Sequence, residues 1–218
     1  MMEEIKIMIE YIKLSEYIKF NMDIDFLINN ILRITVNAKQ EYPNYANWFI
    51  NKHIPGLYNG NRDTIIAVDK NKQLIVGVCN IKKGKEKKIC TLYLDPSYRR
   101  NKLGDQLVRI AVEELECDKP LITMPSTSIC QFKNIIKTFD WQITDVVKNM
   151  YKDNTNEIIF NGIVLPEQQE LSHDENIILS YKKSNDKNIL KLLNSKKEFF
   201  KLNYLGLKEK ISKKVLSN

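Results

Sequence analysis

Three cations and a glycine crowd the start of a helical pattern in the middle of this chain. Arg99, Arg100 and Lys102 surround Asn101, and Leu103, Gly104 and Asp105 follow directly. A helix start leaves its first-turn N–H groups without intrahelical acceptors and presents the positive end of the helix dipole. Backbone donors, cations and a residue without a Cβ then converge on one spot, which suits an anion, above all a phosphate-bearing ligand.

The flanking elements that must hold this loop are legible. Residues 89–94 form an apolar run that Asp95-Pro96 stops, and beyond the loop Leu107, Ala111 and Leu115 recur at helical spacing with Val108 and Val112 beside them. The unit is therefore strand, basic loop and helix.

Before it, residues 4–12 alternate Ile5, Ile7 and Ile9 with polar neighbours, the period of a half-buried strand, with a helix as the competing reading. A helix is expected over 23–41 on Phe26, Leu27, Ile31, Ile34 and Ala38, capped by Asp23 or Asp25 and broken at Tyr42-Pro43. A short helix over 45–53, with Trp48 and Phe49, is expected to close at Pro55-Gly56. Residues 64–68, 74–81 and 89–94 read as strands joined by a turn at 69–72 and a charged connection at 82–88. Their unbroken apolar runs predict a sheet covered on both faces. A strand at 120–124, a helix at 129–139 and strands at 141–148 and 156–160 complete the order.

At the basic loop the sequence resembles the Gcn5-related N-acetyltransferase (GNAT) superfamily, whose signature is Q/R-x-x-G-x-G/A. Arg99 and Gly104 match its first and last positions, while Lys102 stands where a glycine is usual. Element order extends the likeness over roughly 3–161. The resemblance implies an α/β (α+β) fold with a mixed, mostly antiparallel central sheet flanked by helices. It implies acetyl-CoA as co-substrate, no metal, and acetyl transfer to an amine acceptor. Leu92, Tyr93 and Leu94 would pair with the pantetheine arm like an added strand. Arg99, Arg100, Asn101, Lys102, Leu103, Gly104 and Asp105 would hold the pyrophosphate, with Ser126 and Ser128 near the CoA arm or the thiolate.

An attacking amine needs a proton acceptor. Where many family members carry a glutamate at the start of the central strand this chain has Lys88, with Glu86 as the nearest substitute. Where many carry a tyrosine in the late helix it has Ile136. Three possibilities stand open: a base acting through water, groups from the substrate-side helices (Glu41, Tyr45, His53), or loss of catalysis. Glu86, Tyr45 and Ser126 are the catalytic candidates. Set against them, Glu86 reads as a solvated loop charge, Tyr45 as core packing, His53 as a surface or capping residue and Ser126 as a turn cap.

Length and composition fit one domain, 1–162, followed by an extension at 163–218. The four cysteines show no metal or redox spacing, and no apolar run is long enough for a membrane span. With no signal-peptide profile at the start, a cytoplasmic setting is expected. Residues 187–218 hold nine lysines against Glu198 and Glu209, a surplus equal to the whole net charge of +7. There, 188–202 and 205–216 read as basic amphipathic helices that suit RNA or an acidic partner, or need covering by this domain or a second copy, a homodimer. The rival functions are a GNAT module that binds acyl-CoA without turnover and an RNA-directed acetyltransferase toxin.

Overall fold

Continuous apolar runs require cover on both faces, and the structure supplies it. The computed structural model describes residues 8–20 and 24–164. Ile5, Ile7, the Asp23 cap and the helices expected at 188–202 and 205–216 lie outside the described residues, as does the extension from 165 onward.

Seven strands form one sheet: β1 (Ile9–Lys13), β2 (Arg62–Asp69), β3 (Leu74–Lys82), β4 (Lys88–Leu94), β5 (Leu121–Pro125), β6 (Ile143–Lys148) and β7 (Asn156–Phe160). Their spatial order is β1-β2-β3-β4-β5-β7-β6. Only β4 and β5 run parallel. The mixed, mostly antiparallel sheet expected from the sequence is present.

One face is covered by α1 (Leu14–Lys19), α2 (Asp25–Ile34), α3 (Tyr45–Trp48) and α4 (Ile54–Tyr58), and Leu14, Tyr17, Leu27, Ile31 and Phe49 pack there with Ile66 and Val78. The other face carries α5 (Leu103–Leu115) and α6 (Ile129–Thr138), with Leu107, Val108 and Ala111 against Ile65 and Cys79. Gly77 permits the close approach of these layers, since a Cβ there would meet Leu94 Cδ2 at 2.7 Å and Leu107 Cδ1 at 3.0 Å.

Three local expectations need correction. The first strand begins at Ile9 among the described residues and runs straight into α1, a helix the alternation at 4–12 did not announce. Its N-terminus is capped from a distance, which no local pattern shows: the buried Asp63 of β2 accepts hydrogen bonds from Ser15 N (3.1 Å) and Ser15 Oγ (2.6 Å). The helix expected over 23–41 splits, because the Thr35 hydroxyl donates back to Ile31 O (2.7 Å) and a 3₁₀ turn, Val36–Gln40, follows. Pro55-Gly56 does not end the helix at 45–53. A π-helical turn, Phe49–His53, leads into α4, where Pro55 occupies the first turn and its missing N–H costs nothing. Glu86 lies in the turn before the central strand, which begins at Lys88, within the charged connection expected at 82–88.

Candidate functional site

The site is built where two parallel strands part. β4 and β5 share only the register pairs Lys88↔Leu121 and Ile89↔Ile122, after which β5 turns to β7. On its other side β4 stays paired with β3 as far as Gly77↔Leu94. A bulge falls at the parting, with Cys90 the extra residue between Ile89↔Ile81 and Thr91↔Asn80. Leu92, Tyr93 and Leu94 thus present one backbone edge to a cleft of about 1560 Å³. β4 spans about 20 Å at the usual rise per strand residue, so the cleft has two distant ends.

At one end lies the loop into α5. Asp95 fixes its start by accepting from Ser97 N (2.9 Å), and the buried Tyr98 hydroxyl donates to Asp69 Oδ2 (2.6 Å) at the end of β2. Arg99 Nε folds back onto Leu94 O (3.2 Å). Arg100 (φ 67°) and Lys102 (φ 58°) are both left-handed, and Lys102 is the N-cap of α5 without a side-chain capping bond. Left-handed residues alternating with ordinary ones fold backbone N–H groups into an anion-binding concavity, here joined to the helix N-terminus. The backbone therefore takes the shape a glycine would allow even though Lys102 stands there. A left-handed L-residue costs about 1–2 kcal/mol, and glycine's entropy returns part of that. Lys102→Gly should therefore raise unfolding stability by ~0.5–1 kcal/mol in urea titrations, while anion affinity drops a few-fold with the lost charge.

Of the residues singled out in the sequence, Tyr45, Glu86, Leu92, Tyr93, Leu94, Arg99, Arg100, Lys102, Gly104, Asp105 and Ser128 line this one cleft. Asn101 and Leu103 belong to the loop without lining the cleft, and the exposed Ser126 stands outside it. Glu86 is ion-paired with Lys82 (2.9 Å). Tyr45 is buried, its hydroxyl accepts from Asn80 Nδ2 (3.2 Å), and burial raises its pKa. His53 lies in the core, not in the cleft. Its Nε2 bonds Thr64 Oγ1 (2.7 Å), and because that hydroxyl donates onward to Asn80 Oδ1 (2.8 Å), Nε2 carries the proton. Burial holds its pKa well below the ordinary range, so the ring is neutral.

Sequence reasoning missed the acid at the other end. Glu157 of β7 is 3% exposed, and its Oε1 accepts from the Tyr42 hydroxyl at 3.1 Å. Burial pushes its carboxyl up to about 7 against the opposing pull of Tyr42, Thr123 and Lys88. The one available signal was a lone acid inside the apolar run 156–160. A folded-state pKa above the unfolded value stabilises fully at low pH, and that stability is lost as pH rises from about 4.5 to about 7. Glu157→Gln should remove this decline and be more stable than the parent protein at about pH 8, read as the urea midpoint against pH.

Comparison with known proteins follows the same geometry. Residues 44–130 match the acetyltransferase (GNAT) domain family, covering α3 through the start of α6 with the parted strands and the basic loop between. Over these residues the chain is similar to a GNAT acetyltransferase domain. Among solved structures, a GNAT-family protein from Desulfovibrio desulfuricans superposes with a TM-score of 0.53 at 11% identity, over 70% of this chain and 97% of that one. A GNAT-family acetyltransferase from Bacillus cereus gives 0.51 at 15% identity, over 73% and 99%. A NatC complex bound to Gag peptide and CoA gives 0.52 at 16%, over 70% and 96%. At such identities these likenesses concern the fold of the GNAT domain. No curated protein matches the chain.

Proposed function

We propose that the GNAT domain transfers an acetyl group from acetyl-CoA to a primary amine, with 1–162 as the catalytic domain and 163–218 as an extension. The observation that carries this reading is the unpaired edge of β4 ending at an open helix N-terminus. A pantetheine arm is an extended chain of amides that can pair with such an edge, and a pyrophosphate fits the N–H concavity at its end. The neighbouring NatC structure holds CoA, in keeping with that assignment.

Each part of the cleft then has a task. Leu92, Tyr93 and Leu94 align the arm, and an N–H of the same edge polarises the thioester carbonyl and stabilises the oxyanion as the amine attacks. Arg99, Arg100 and Lys102 add charge around the phosphates. No metal is required, because backbone dipoles supply the electrophilic assistance. The acceptor enters from the far end, past Tyr42 and Tyr151, whose rings meet edge to face at 5.5 Å.

The test is thiol release from acetyl-CoA by the full chain with a panel of alkylamines, peptides and aminoacyl-tRNA. Release with one acceptor class identifies the substrate; acetyl-CoA binding without release from any would favour the non-catalytic module that Lys88 and Ile136 suggested. The basic stretch 187–218 favours an RNA-borne amine within that panel through sequence-independent charge, and tRNA binding that survives its removal unchanged would show that the stretch gives no support to that choice.

A further inference from the structure

We propose that β7 supplies the base missing from the start of β4: Glu157 accepts the proton of the acceptor amine through the hydroxyl of Tyr42. This rests on the acetyl-transfer reading above and adds the group that prepares the nucleophile.

The geometry is that of a carboxylate one hydroxyl behind the cleft wall. Glu157 pairs across β7 with Pro125 of β5 and Val147 of β6. It shares a strand face with Ile159, which lines the cleft. Tyr42, Thr123 and Lys88 also line the cleft, and each acts on the Glu157 carboxyl: Tyr42 and Thr123 by hydrogen bonds, Lys88 by its charge. The position at which a glutamate is usual thus holds its counter-ion, Lys88, buried to 8% exposure.

The surrounding groups fix what each partner can do. Burial and the Glu157 charge drive the Tyr42 phenol far above its ordinary range, so it stays protonated and serves only to pass a proton. Glu41 opposes ionisation of Glu157 and Lys88 favours it. Lys152 pairs with Glu41 (3.5 Å) and donates to Gln40 O (2.7 Å), which braces the β6–β7 turn against the segment carrying Tyr42. The candidates named from sequence are less well placed. Glu86 is tied to Lys82, the Tyr45 hydroxyl is engaged with Asn80, and Ser126 is outside the cleft.

The proton balance is complete. An alkylammonium gives one proton to the Tyr42 oxygen as the Tyr42 proton moves to Glu157, leaving a neutral amine, a neutral phenol and a carboxylic acid. The amine nitrogen attacks the thioester carbon, the C–N bond forms, and collapse breaks C–S. The second nitrogen proton goes to the departing thiolate, and Glu157 returns its own to water.

The test compares two probe amines at saturating acetyl-CoA with the full chain. Phenylethylamine is almost wholly protonated near neutrality and needs a base; hydroxylamine is largely neutral there and does not. Glu157→Gln should slow thiol release with phenylethylamine by about 100-fold or more, yet leave hydroxylamine within about 3-fold. It should also erase the limb of kcat/KM that rises near neutral pH, and Tyr42→Phe should show the same selectivity between amines. Equal losses with both amines, or none with either, would overturn the proposal, since a merely structural role has no reason to distinguish them. Carbon-13 titration of the Glu157 carboxyl, assigned by its disappearance in Glu157→Gln, decides independently of turnover. Ionisation near neutrality supports the role; ionisation in the ordinary carboxylate range removes it. If the parent protein binds acetyl-CoA, keeps that titration and releases thiol with neither amine, the transfer reading fails and takes this role with it.

Discussion

Replacing Gly104 by phenylalanine should lower acetyl-CoA affinity by about 100- to 10,000-fold, the loss expected when two charge-assisted hydrogen bonds worth ~1.5–3 kcal/mol each are blocked. Gly104 is buried in the first turn of α5, beside the N–H groups assigned to the pyrophosphate. A Cβ there would meet Ile135 Cδ1 at 3.1 Å and Leu94 Cδ1 at 3.4 Å, so a larger side chain has only the cleft to enter. Alanine is the control. The two neighbours are ends of flexible side chains that can yield slightly, and alanine's better helix propensity, ~1 kcal/mol, offsets the tight contact. Gly104→Ala should therefore keep its stability within ~1 kcal/mol and its affinity within ~10-fold. Calorimetric titration of both variants, alongside thermal unfolding, separates loss of the cradle from loss of the fold. Unchanged affinity in the phenylalanine variant would remove the pyrophosphate assignment.

Asp63→Ala should cost about 3–5 kcal/mol of folding stability, as expected when a buried charge network loses one partner. The Asp63 carboxylate is fully buried on β2, where it accepts from Ser15 N, Ser15 Oγ and Thr64 N (2.9 Å) and pairs with Lys83 Nζ (3.0 Å). Lys83 also reaches Glu114 of α5 (3.2 Å), which in turn pairs with Lys13 (2.7 Å). One side chain thus caps α1 and links the β1–α1 junction, the β3–β4 turn and α5. Asn at 63 keeps an acceptor for Ser15 but turns an amide N–H₂ toward Lys83, so its loss should be intermediate. Urea unfolding measures both. A change below ~1 kcal/mol for the alanine variant would show that the network does not anchor α1.

What the sequence made legible was whatever one element encodes by itself. The apolar runs 64–68, 74–81 and 89–94 appear as β2, β3 and β4. The spacing of Leu107, Ala111 and Leu115 appears as the buried stripe of α5, and the loop of Arg99, Arg100 and Lys102 lies at that helix start as its composition required. What stayed hidden depends on partners far apart in the chain. The Tyr42–Glu157 bond spans 115 residues and the Asp63 cap of Ser15 spans 48. No periodicity announces either. Looking for the base at its usual place in the chain led to Lys88 and then to Glu86, whereas the sheet brings the proposed base, Glu157, near Lys88 from β7, which is last in the chain but separated from β4 only by β5. Pro55 misled because its effect depends on where a helical turn begins, and the π-helical turn before it resets that position.

The most direct measurement of the central claim is calorimetric titration of the full chain with acetyl-CoA, with CoA as the comparison ligand. One molecule should bind per chain, and affinity should fall as salt is raised, because on this proposal Arg99, Arg100 and Lys102 meet the phosphates at an exposed loop. No detectable binding would contradict the assignment of the parted strands and the basic loop as an acetyl-CoA site.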